Sequence, residues 1–476
     1  MLIFASIFCL LSAYIVLGTG ASVWILATSQ LLLLINEVRK RQVTGGGAFL
    51  FMSFLFFGVR PIYMLIEKDY KLLIHVFRMS PDWTVITMAM WWATLAVISF
   101  AVGLMLVPKV HKLVLRRRFA KRHVEQQFQS FGNYSIFLVG LQLATLPIMY
   151  VLASRLGRSI RDSGFGAYGY ELPMPLQAIH IFALVYLLQR CIRARSPVNV
   201  SLVLISGLAL LSFSWLMRDL SSFRGFYLTG IMIAGIACLQ LWKGRVGYGW
   251  LIIPIMALMP FFQYLGAMRA VENEELASED IVGQVLQDQT LGQAYWNFFN
   301  AGGDMNIFDT FTGATTAEIR FYPYVWSWIY VPLHLVPRAL WKDKPKQGKT
   351  QDLAFTRGAP YSPGIAGFFL LDGGKLWMIA CMLVLGYFVS CADWFVRSMP
   401  FSVLQCCLVG VTTINAMYLS RFFLWQYFYQ VLYAVVPCIL LAWFVGRGSR
   451  KMRPSQRRSA GATGIIADES MSMRKS

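Results

Sequence analysis

The stretch TVITMAMWWATLAVISFAVGLMLV, residues 84–107, contains no charged side chain. The hydrocarbon core of a bilayer is about 30 Å thick, and a helix of about 20 apolar residues crosses it. A helix is favoured in lipid because it satisfies its own backbone hydrogen bonds. This stretch therefore predicts a membrane-spanning helix and sets the class of the fold.

Apolar runs of the same kind recur along the chain. Eleven further spans are predicted at residues 2–18, 20–36, 47–66, 134–153, 176–190, 198–216, 224–242, 250–266, 374–396, 400–419 and 421–445. Hydrophobic residues make up 57% of the chain and the mean hydropathy is +0.55, values that exclude an ordinary soluble domain. The sequence thus predicts an all-α, polytopic integral membrane protein with about twelve transmembrane helices.

Lys and Arg in the short connections predict the orientation, because these residues resist translocation and stay in the cytoplasm. Basic clusters follow the second, fourth, sixth, eighth and twelfth predicted spans, at residues 39–41, 109–122, 190–195, 243–245 and 447–458. All of them fall on one side if both termini are cytoplasmic. The net charge of +20 is therefore interpreted as an orientation signal and a contact with anionic lipid, not as a nucleic-acid surface.

Four regions follow from this topology. They are a transmembrane bundle at 1–266, a large outward-facing loop at 267–373, C-terminal transmembrane helices at 374–445 and a basic, disordered cytoplasmic tail at 446–476. The outward loop carries twelve acidic and eight basic side chains. Most of its acidic residues lie in its first half, where a solvated acidic surface is the simplest interpretation.

The outward loop contains an aromatic stretch, RFYPYVWSWIYVPLHLVPRALWKDKP, at residues 320–345. We expect it to form a re-entrant or interfacial helical segment, because a full crossing would invert the last three spans. Tyr and Trp anchor such segments at headgroup depth, and they also stack on sugar rings. Anchoring alone accounts for these aromatics, and both interpretations stay open.

Several classes of site are not supported by the sequence. There is no phosphate-binding loop of the GxxxxGK[ST] type, and the run Gly45–Gly47 is interpreted as a linker into the third span. The eight cysteines lie in or beside the predicted spans and show no zinc-ligand spacing. We therefore predict no metal, no other cofactor and no nucleotide-driven activity.

Arginine at the predicted outer ends of spans and in the outward loop is the distinctive feature. A guanidinium stays charged and offers a planar donor fork that matches phosphate oxygens. The alternative is that these side chains reach up to the lipid headgroups. The candidate phosphate- or glycan-binding residues are Arg60, Arg218, Arg224, Arg320, Arg338, Arg357 and Arg421, with Lys342 and Lys344 as less directional cations.

Three motifs resemble one known family. The runs VPRALWKDKP at 336–345 and YSPGIAGFFLLDGG at 361–374, with GVRPIY at 58–63, look like the pattern of Wzy-type O-antigen and oligosaccharide repeat-unit polymerases. The chain departs from that pattern at Gly367-Phe368, where a Gly-Glu pair is common in the family. The resemblance implies a glycosyltransferase that joins undecaprenyl-diphosphate-linked oligosaccharides without a metal ion.

The implied reaction assigns roles to residues of the outward loop. Arg338 is the candidate that stabilises charge on the departing diphosphate. A general base would activate the acceptor hydroxyl, and the candidates are His334, Glu318, Asp304, Asp309 and Asp372. His334 precedes Arg338 by four residues, so both would share a face if a helix continued between them.

The resemblance also implies a location and partners. We expect the bacterial cytoplasmic (inner) membrane, a lipid-linked oligosaccharide substrate, the lipid bilayer, and a chain-length regulator and a flippase as partner proteins. Two alternatives stay open, namely an O-antigen-type ligase, which transfers the same donor to another acceptor, and a lipid-linked oligosaccharide flippase or polysaccharide exporter.

Overall fold

The structure is a computed structural model. It describes residues 1–70, 73–74, 79–80, 82–114, 134–162, 173–194, 196–220, 225–255, 296, 306–316, 326–334, 362–421 and 424–450. The chain forms two compact units. The first comprises Met1–Arg122, Met232–Met399 and Leu408–Leu432, and the second comprises His123–Ile231, Pro400–Cys407 and Tyr433–Ser476.

The described part of the chain is helical and contains no strand. Its helices are α1 (Leu2–Ile15), α2 (Gly20–Val38), α3 (Gly45–Phe54), α4 (Arg60–Glu67), α5 (Trp83–Val114), α6 (Ser135–Asp162), α7 (Pro173–Ala194), α8 (Pro197–Leu220), α9 (Gly225–Lys243), α10 (Ile307–Thr316), α11 (Trp326–His334), α12 (Gly364–Ser398), α13 (Val403–Leu419) and α14 (Leu424–Arg450). A π-helical turn, Leu55–Val59, joins α3 to α4.

Seven helices in the described residues are long and apolar enough to cross a membrane. They are Gly20–Val38, Gly45–Glu67, Trp83–Leu106, Pro173–Arg193, Pro197–Met217, Gly364–Ser398 and Tyr427–Gly446, and four shorter apolar helices are Leu2–Ile15, Ser135–Val151, Leu228–Lys243 and Val403–Leu419. Together they coincide with eleven of the predicted spans. Most of the remaining one, 250–266, lies outside the described residues. The all-helical membrane class is confirmed, and the count of twelve spans stays a prediction.

Two of the basic connections meet at one end of the first unit. The backbone N–H of Val43 donates to the carbonyl of Val246 at 2.8 Å, and the hydroxyls of Thr44 and Tyr248 lie 3.3 Å apart. These contacts join the connection that carries residues 39–41 to the one that carries 243–245. Arg60 lies towards the other end of the same span, Gly45–Glu67, so the basic end and the Arg60 end of this unit are distinct.

The glycine run Gly45–Gly47 is the first turn of α3, so its interpretation as a linker is wrong. The backbone N–H groups of Gly45 and Gly46 donate to the two carboxylate oxygens of Asp393, at 3.0 and 3.2 Å. A carboxylate at a helix N-terminus satisfies donors that the helix itself leaves unpaired. The glycines leave room for this approach, since a Cβ on Gly45 would lie 3.2 Å from an Asp393 oxygen.

Replacing Gly47 with alanine is expected to destabilise the first unit. A Cβ at this position would lie 1.8 Å from the Tyr248 hydroxyl, so the ring must move out of its buried site. Overpacking of this kind costs about 1–3 kcal/mol. Thermal unfolding in detergent measures the loss. In a Tyr248→Ala background the additional cost of Gly47→Ala should be small, because the ring that clashes is gone, and Gly235→Ala is the control because nothing lies within 4 Å of its added Cβ. Equal midpoints for Gly47→Ala and the parent would contradict this packing.

Helices α5 and α12 cross in close backbone contact. A Cβ on Gly103 would lie 2.1 Å from the carbonyl oxygen of Leu383, and one on Gly386 would lie 2.1 Å from that of Phe100. Small residues let membrane helices approach this closely. Lys375 lies over the Trp92 ring near the start of both helices, while Ser390 donates to Leu104 nearer their ends. The contact points advance together along both helices, which therefore run parallel.

The π-helical turn in the third span is supported by a polar side chain from α2. The buried Gln30 donates through Nε2 to the carbonyl of Phe57 at 3.2 Å and to the Thr94 hydroxyl at 2.9 Å. A π turn inserts one residue, and one residue corresponds to about 100° of helix rotation. Every side chain after Val59 therefore points in a different direction from the one that an unbroken α-helix would give.

Helix α12 contains a sharp bend. The backbone leaves helical geometry at Gly374, where φ is 83° and ψ is −171°. The predicted span begins at 374, whereas the helix begins at Gly364. The difference arises because residues 364–372 form a buried helical segment of their own before the bend.

The second unit contains a buried histidine among packed helices. His180 on α7 has no exposed surface, and its ring lies 4.6 Å from that of Phe213 on α8. The Thr145 hydroxyl donates to the carbonyl of Gln142 at 2.6 Å and lies 2.7 Å from His180 Nε2. The neighbours of His180 give it a packing role.

Candidate functional site

Arg60 is the centre of the most strongly charged buried cluster among the described residues. It begins α4 directly after the π-helical turn, and its side chain is completely buried. A charge at such depth is costly unless it is paired. The turn aims the guanidinium into the protein, where two carboxylates receive it.

The guanidinium forms a two-point contact with Asp309 of α10. Its Nε donates to Asp309 Oδ2 at 3.0 Å and its Nη2 donates to Oδ1 at 3.1 Å. On its other side Nη1 donates to Asp69 Oδ2 at 2.9 Å, and Nη2 reaches the Asp69 carbonyl at 3.3 Å. A planar fork on a carboxylate is among the strongest and most directional ion pairs in proteins. Arg60 thus joins α4, the chain just after it and α10.

Apolar contacts surround this ion pair. Phe57, in the π-helical turn, packs edge-on against Phe308 and Phe311, with ring centroids 6.5 and 5.4 Å apart. Gly364 has a φ of +68°. A Cβ at this position would lie 2.6 Å from the carbonyl oxygen of Ser420 and 3.0 Å from Cγ2 of Ile307, so both residues pack closely against this glycine. All residues from Ile307 to Ala314 are buried. Helix α10 is therefore held on the first unit by a buried apolar surface as well as by charge.

Burial and charge act against each other at Asp309. Burial raises the pKa of its carboxyl, and the adjacent Arg60 guanidinium opposes that rise. The sequence favoured a solvated acidic surface for this half of the loop. For Asp309 that interpretation is wrong, because it has no exposed surface. Its proximity to Arg60 explains why a carboxylate can be accommodated there.

An aromatic rim lies beside the cluster. The Arg60 guanidinium lies 5.5 Å from the centre of the Tyr63 ring, and this ring lies 5.2 Å from that of Trp296. The Trp296 indole N–H donates to Glu67 Oε1 at 2.6 Å. Glu67 is exposed, so the cluster extends from the buried pair to the surface of the protein.

The aromatic stretch contributes α11, which packs on both segments of α12. The backbone N–H of Ser327 donates to Asp372 Oδ2 at 3.0 Å, so Asp372 caps the start of α11. Trp328 stacks on Phe369 and also contacts Phe388, each with ring centroids 5.9 Å apart. Its indole N–H donates to the buried Cys381 sulfur at 3.2 Å. Trp328 thus contacts α12 on both sides of its bend.

One family profile matches the chain. It describes a domain of unknown function, DUF8712, and covers residues 74–365, more than half of the chain. The chain belongs to the DUF8712 family. No curated protein and no solved structure matches it significantly. The DUF8712 segment includes α10 and α11, whereas Arg60 and Asp69 precede it. The ion pairs therefore connect α10, inside the DUF8712 segment, to α4 and Asp69, which precede that segment in the sequence.

Among the predicted site residues, Arg60 has a described side chain with two carboxylate partners, Asp69 and Asp309. Ser362 donates to the backbone carbonyl of Arg421 at 2.7 Å, next to the start of α12. His334 ends α11 and Arg218 lies near the end of α8, and their side chains lie outside the description. The predicted residues wholly outside the described part of the chain are Asp304, Glu318, Arg224, Arg320, Arg338, Lys342, Lys344 and Arg357.

Two candidate bases from the sequence have structural partners. Asp309 binds Arg60, and Asp372 caps α11. Asp69 was missed, although the signal was present: it follows Arg60 by nine residues, just beyond the end of the same predicted span. Among the described residues, no group of three or more His, Cys, Asp or Glu side chains is placed to hold a metal ion.

Proposed function

We propose that the protein polymerises oligosaccharide repeat units linked to undecaprenyl diphosphate, on the outer face of the bacterial cytoplasmic membrane. The product is a surface polysaccharide, such as O-antigen, capsule or exopolysaccharide. Both termini lie in the cytoplasm, and residues 267–373 face outward. The proposal is supported by the resemblance in three motifs together with the packing of α10 and α11, two described helices of the predicted outward loop.

The position of α10 and α11 is the observation that carries the proposal. Both helices belong to the predicted outward loop, and both pack on helices of the first unit through Asp309 and Asp372. Arg60 lies away from the end that carries the basic connections. A loop held in this way can present charged groups to a lipid headgroup at the membrane surface.

The parallel course of α5 and α12 is consistent with the proposed topology. If both cross the membrane in the same direction, the chain between them must cross an odd number of times. Five spans are predicted there, from residues 134–153 to 250–266. An additional crossing by the aromatic stretch would make the number even, so the parity favours a stretch that enters and leaves on one side.

In the proposed reaction an acceptor hydroxyl oxygen attacks the anomeric carbon of the donor sugar. The bond from that carbon to the diphosphate oxygen breaks, and the electron pair leaves with the lipid diphosphate. Arg338 stabilises the departing charge, assisted by Arg320, Lys342, Lys344 and Arg357. The hydroxyl proton passes to a base, for which His334, Glu318 and Asp304 are the candidates.

The remaining proposed diphosphate or glycan contacts are Arg218, Arg224 and Arg421. The sequence predicts that all three lie at the outer ends of membrane spans. A flippase and a chain-length regulator are the proposed protein partners.

Purified protein in vesicles, supplied only with a lipid-linked repeat unit, tests the function. We expect elongation without added nucleotide, metal or second acceptor. Transfer that requires a separate core acceptor would instead identify a ligase. Movement of the lipid-linked unit across the bilayer without elongation would identify a flippase, and either outcome would overturn the proposal.

A further inference from the structure

We infer that Arg60 is a positioning residue: it fixes α10 of the outward loop to the third span and does not itself bind the substrate diphosphate. The π-helical turn Leu55–Val59 is the element that aims it. The inference concerns the architecture of the site, and only its activity test rests on the proposed function.

The hydrogen bonds of the guanidinium are the first argument. Each of its three nitrogens already donates to Asp69 or Asp309, and Nη2 donates to both residues. A phosphate would have to displace a two-point carboxylate contact from a side chain that has no exposed surface. Displacement would leave Asp309 charged and buried, which is strongly unfavourable. The geometry therefore suits a permanent link better than a ligand site.

The path of the chain is the second argument. Phe57 and Arg60 both contact α10, Phe57 through Phe308 and Phe311, and Arg60 through Asp309. The extra residue of the π turn rotates Arg60 by about 100° relative to an unbroken α-helix. Gln30 supports the turn by donating to the Phe57 carbonyl. Phe57 and Arg60 thus hold the same helix, α10, one by apolar contact and the other by charge.

Accessibility of α10 tests the inference without any assay of activity. Thr312 has no exposed surface, so Thr312→Cys in the full chain should resist a membrane-impermeant maleimide, with the parent as the blank for the native cysteines. Adding Arg60→Gln should accelerate labelling by at least about tenfold, because a lost buried partner destabilises the docked state. Adding Arg39→Gln, which removes an exposed arginine at the basic end of the first unit, is the matched control and should leave labelling unchanged.

Two further variants keep the test decisive if Arg60→Gln fails to fold. Asp309→Asn keeps the shape of the side chain, removes its charge and should raise labelling to a smaller extent. The exchange Arg60→Asp with Asp309→Arg should restore protection, because Arg at 309 can pair with both carboxylates. Unchanged labelling in folded Arg60→Gln, or no protection in a folded exchange variant, would overturn the inference.

Kinetics distinguish a positioning residue from a diphosphate ligand. Arg60→Gln should lower the kcat of elongation by about tenfold or more, with a KM for the lipid-linked repeat within about twofold of the parent. The exchange variant should recover most of the lost kcat. A large rise in KM that the exchange does not reverse would show that Arg60 contacts substrate. If the parent does not elongate at all, the proposed function fails while the labelling result still decides the role of Arg60.

Discussion

Arg338→Ala is expected to abolish long glycan chains while single repeat units still reach the cell surface. Arg338 lies in VPRALWKDKP, the motif that carries most of the resemblance to repeat-unit polymerases. Removing one preorganised donor from a developing negative charge costs about 10²–10³ in rate. A loss of that size at every addition would leave products of one or a few repeats.

The length distribution of the surface glycan on a gel measures this effect. Arg338→Lys keeps the charge and removes the planar fork, so it should produce short chains in reduced amounts. Lys349→Ala is the matched control, because Lys349 is a basic residue of the same loop outside the motif. Full-length ladders in a membrane-inserted Arg338→Ala protein would exclude a role for this arginine in the reaction.

Gly386→Ala is expected to destabilise the first unit severely. Its Cβ would lie 2.1 Å from the Phe100 carbonyl oxygen and 2.9 Å from the carbonyl carbon. These are backbone atoms inside a long helix, so no side-chain rotation can relieve the overlap and the two helices must separate. We expect a loss of about 3 kcal/mol or more, at the upper end of the range for overpacking.

The half-life of the folded protein in detergent at a fixed temperature measures this loss. Gly103→Ala should have a similar effect from the opposite helix, since its Cβ would lie 2.1 Å from the Leu383 carbonyl oxygen. Gly235→Ala, with nothing within 4 Å of the added atom, is the control and should be neutral or mildly stabilising. A Gly386→Ala protein as durable as this control would show that the helices do not meet at Gly386.

Hydropathy was sufficient to predict the helices but not their breaks. Residues 84–107 were expected as one span, and a continuous helix lies there. The π-helical turn was not predicted, because LFFGV is as apolar as the helix around it and its support, Gln30, comes from another helix. The start of α12 was placed too late, because a buried helical segment before Gly374 is apolar for reasons of packing within the protein.

The candidate site could be predicted in part. Arg60 was selected because a charge inside a span demands a partner. Its main partner is 249 residues away in the sequence, and no pattern in a single sequence connects the two positions. The glycine run depends on distant partners in the same way: its three missing side chains make room for Asp393, Leu104 and Tyr248, which lie far along the chain.

The contact between α5 and α12 has a consequence for biosynthesis. Ser390 donates to the carbonyl of Leu104 across a separation of 286 residues. At the usual speed of translation, about 5–20 residues per second, α5 emerges roughly 15–60 s before its partner. During that time the surface of α5 around Gly103, which later contacts α12, must remain without its partner helix in the membrane or be shielded by the insertion machinery. The first unit therefore closes only after the DUF8712 segment has been synthesised, which makes late truncations of the chain more damaging to this unit than their position suggests.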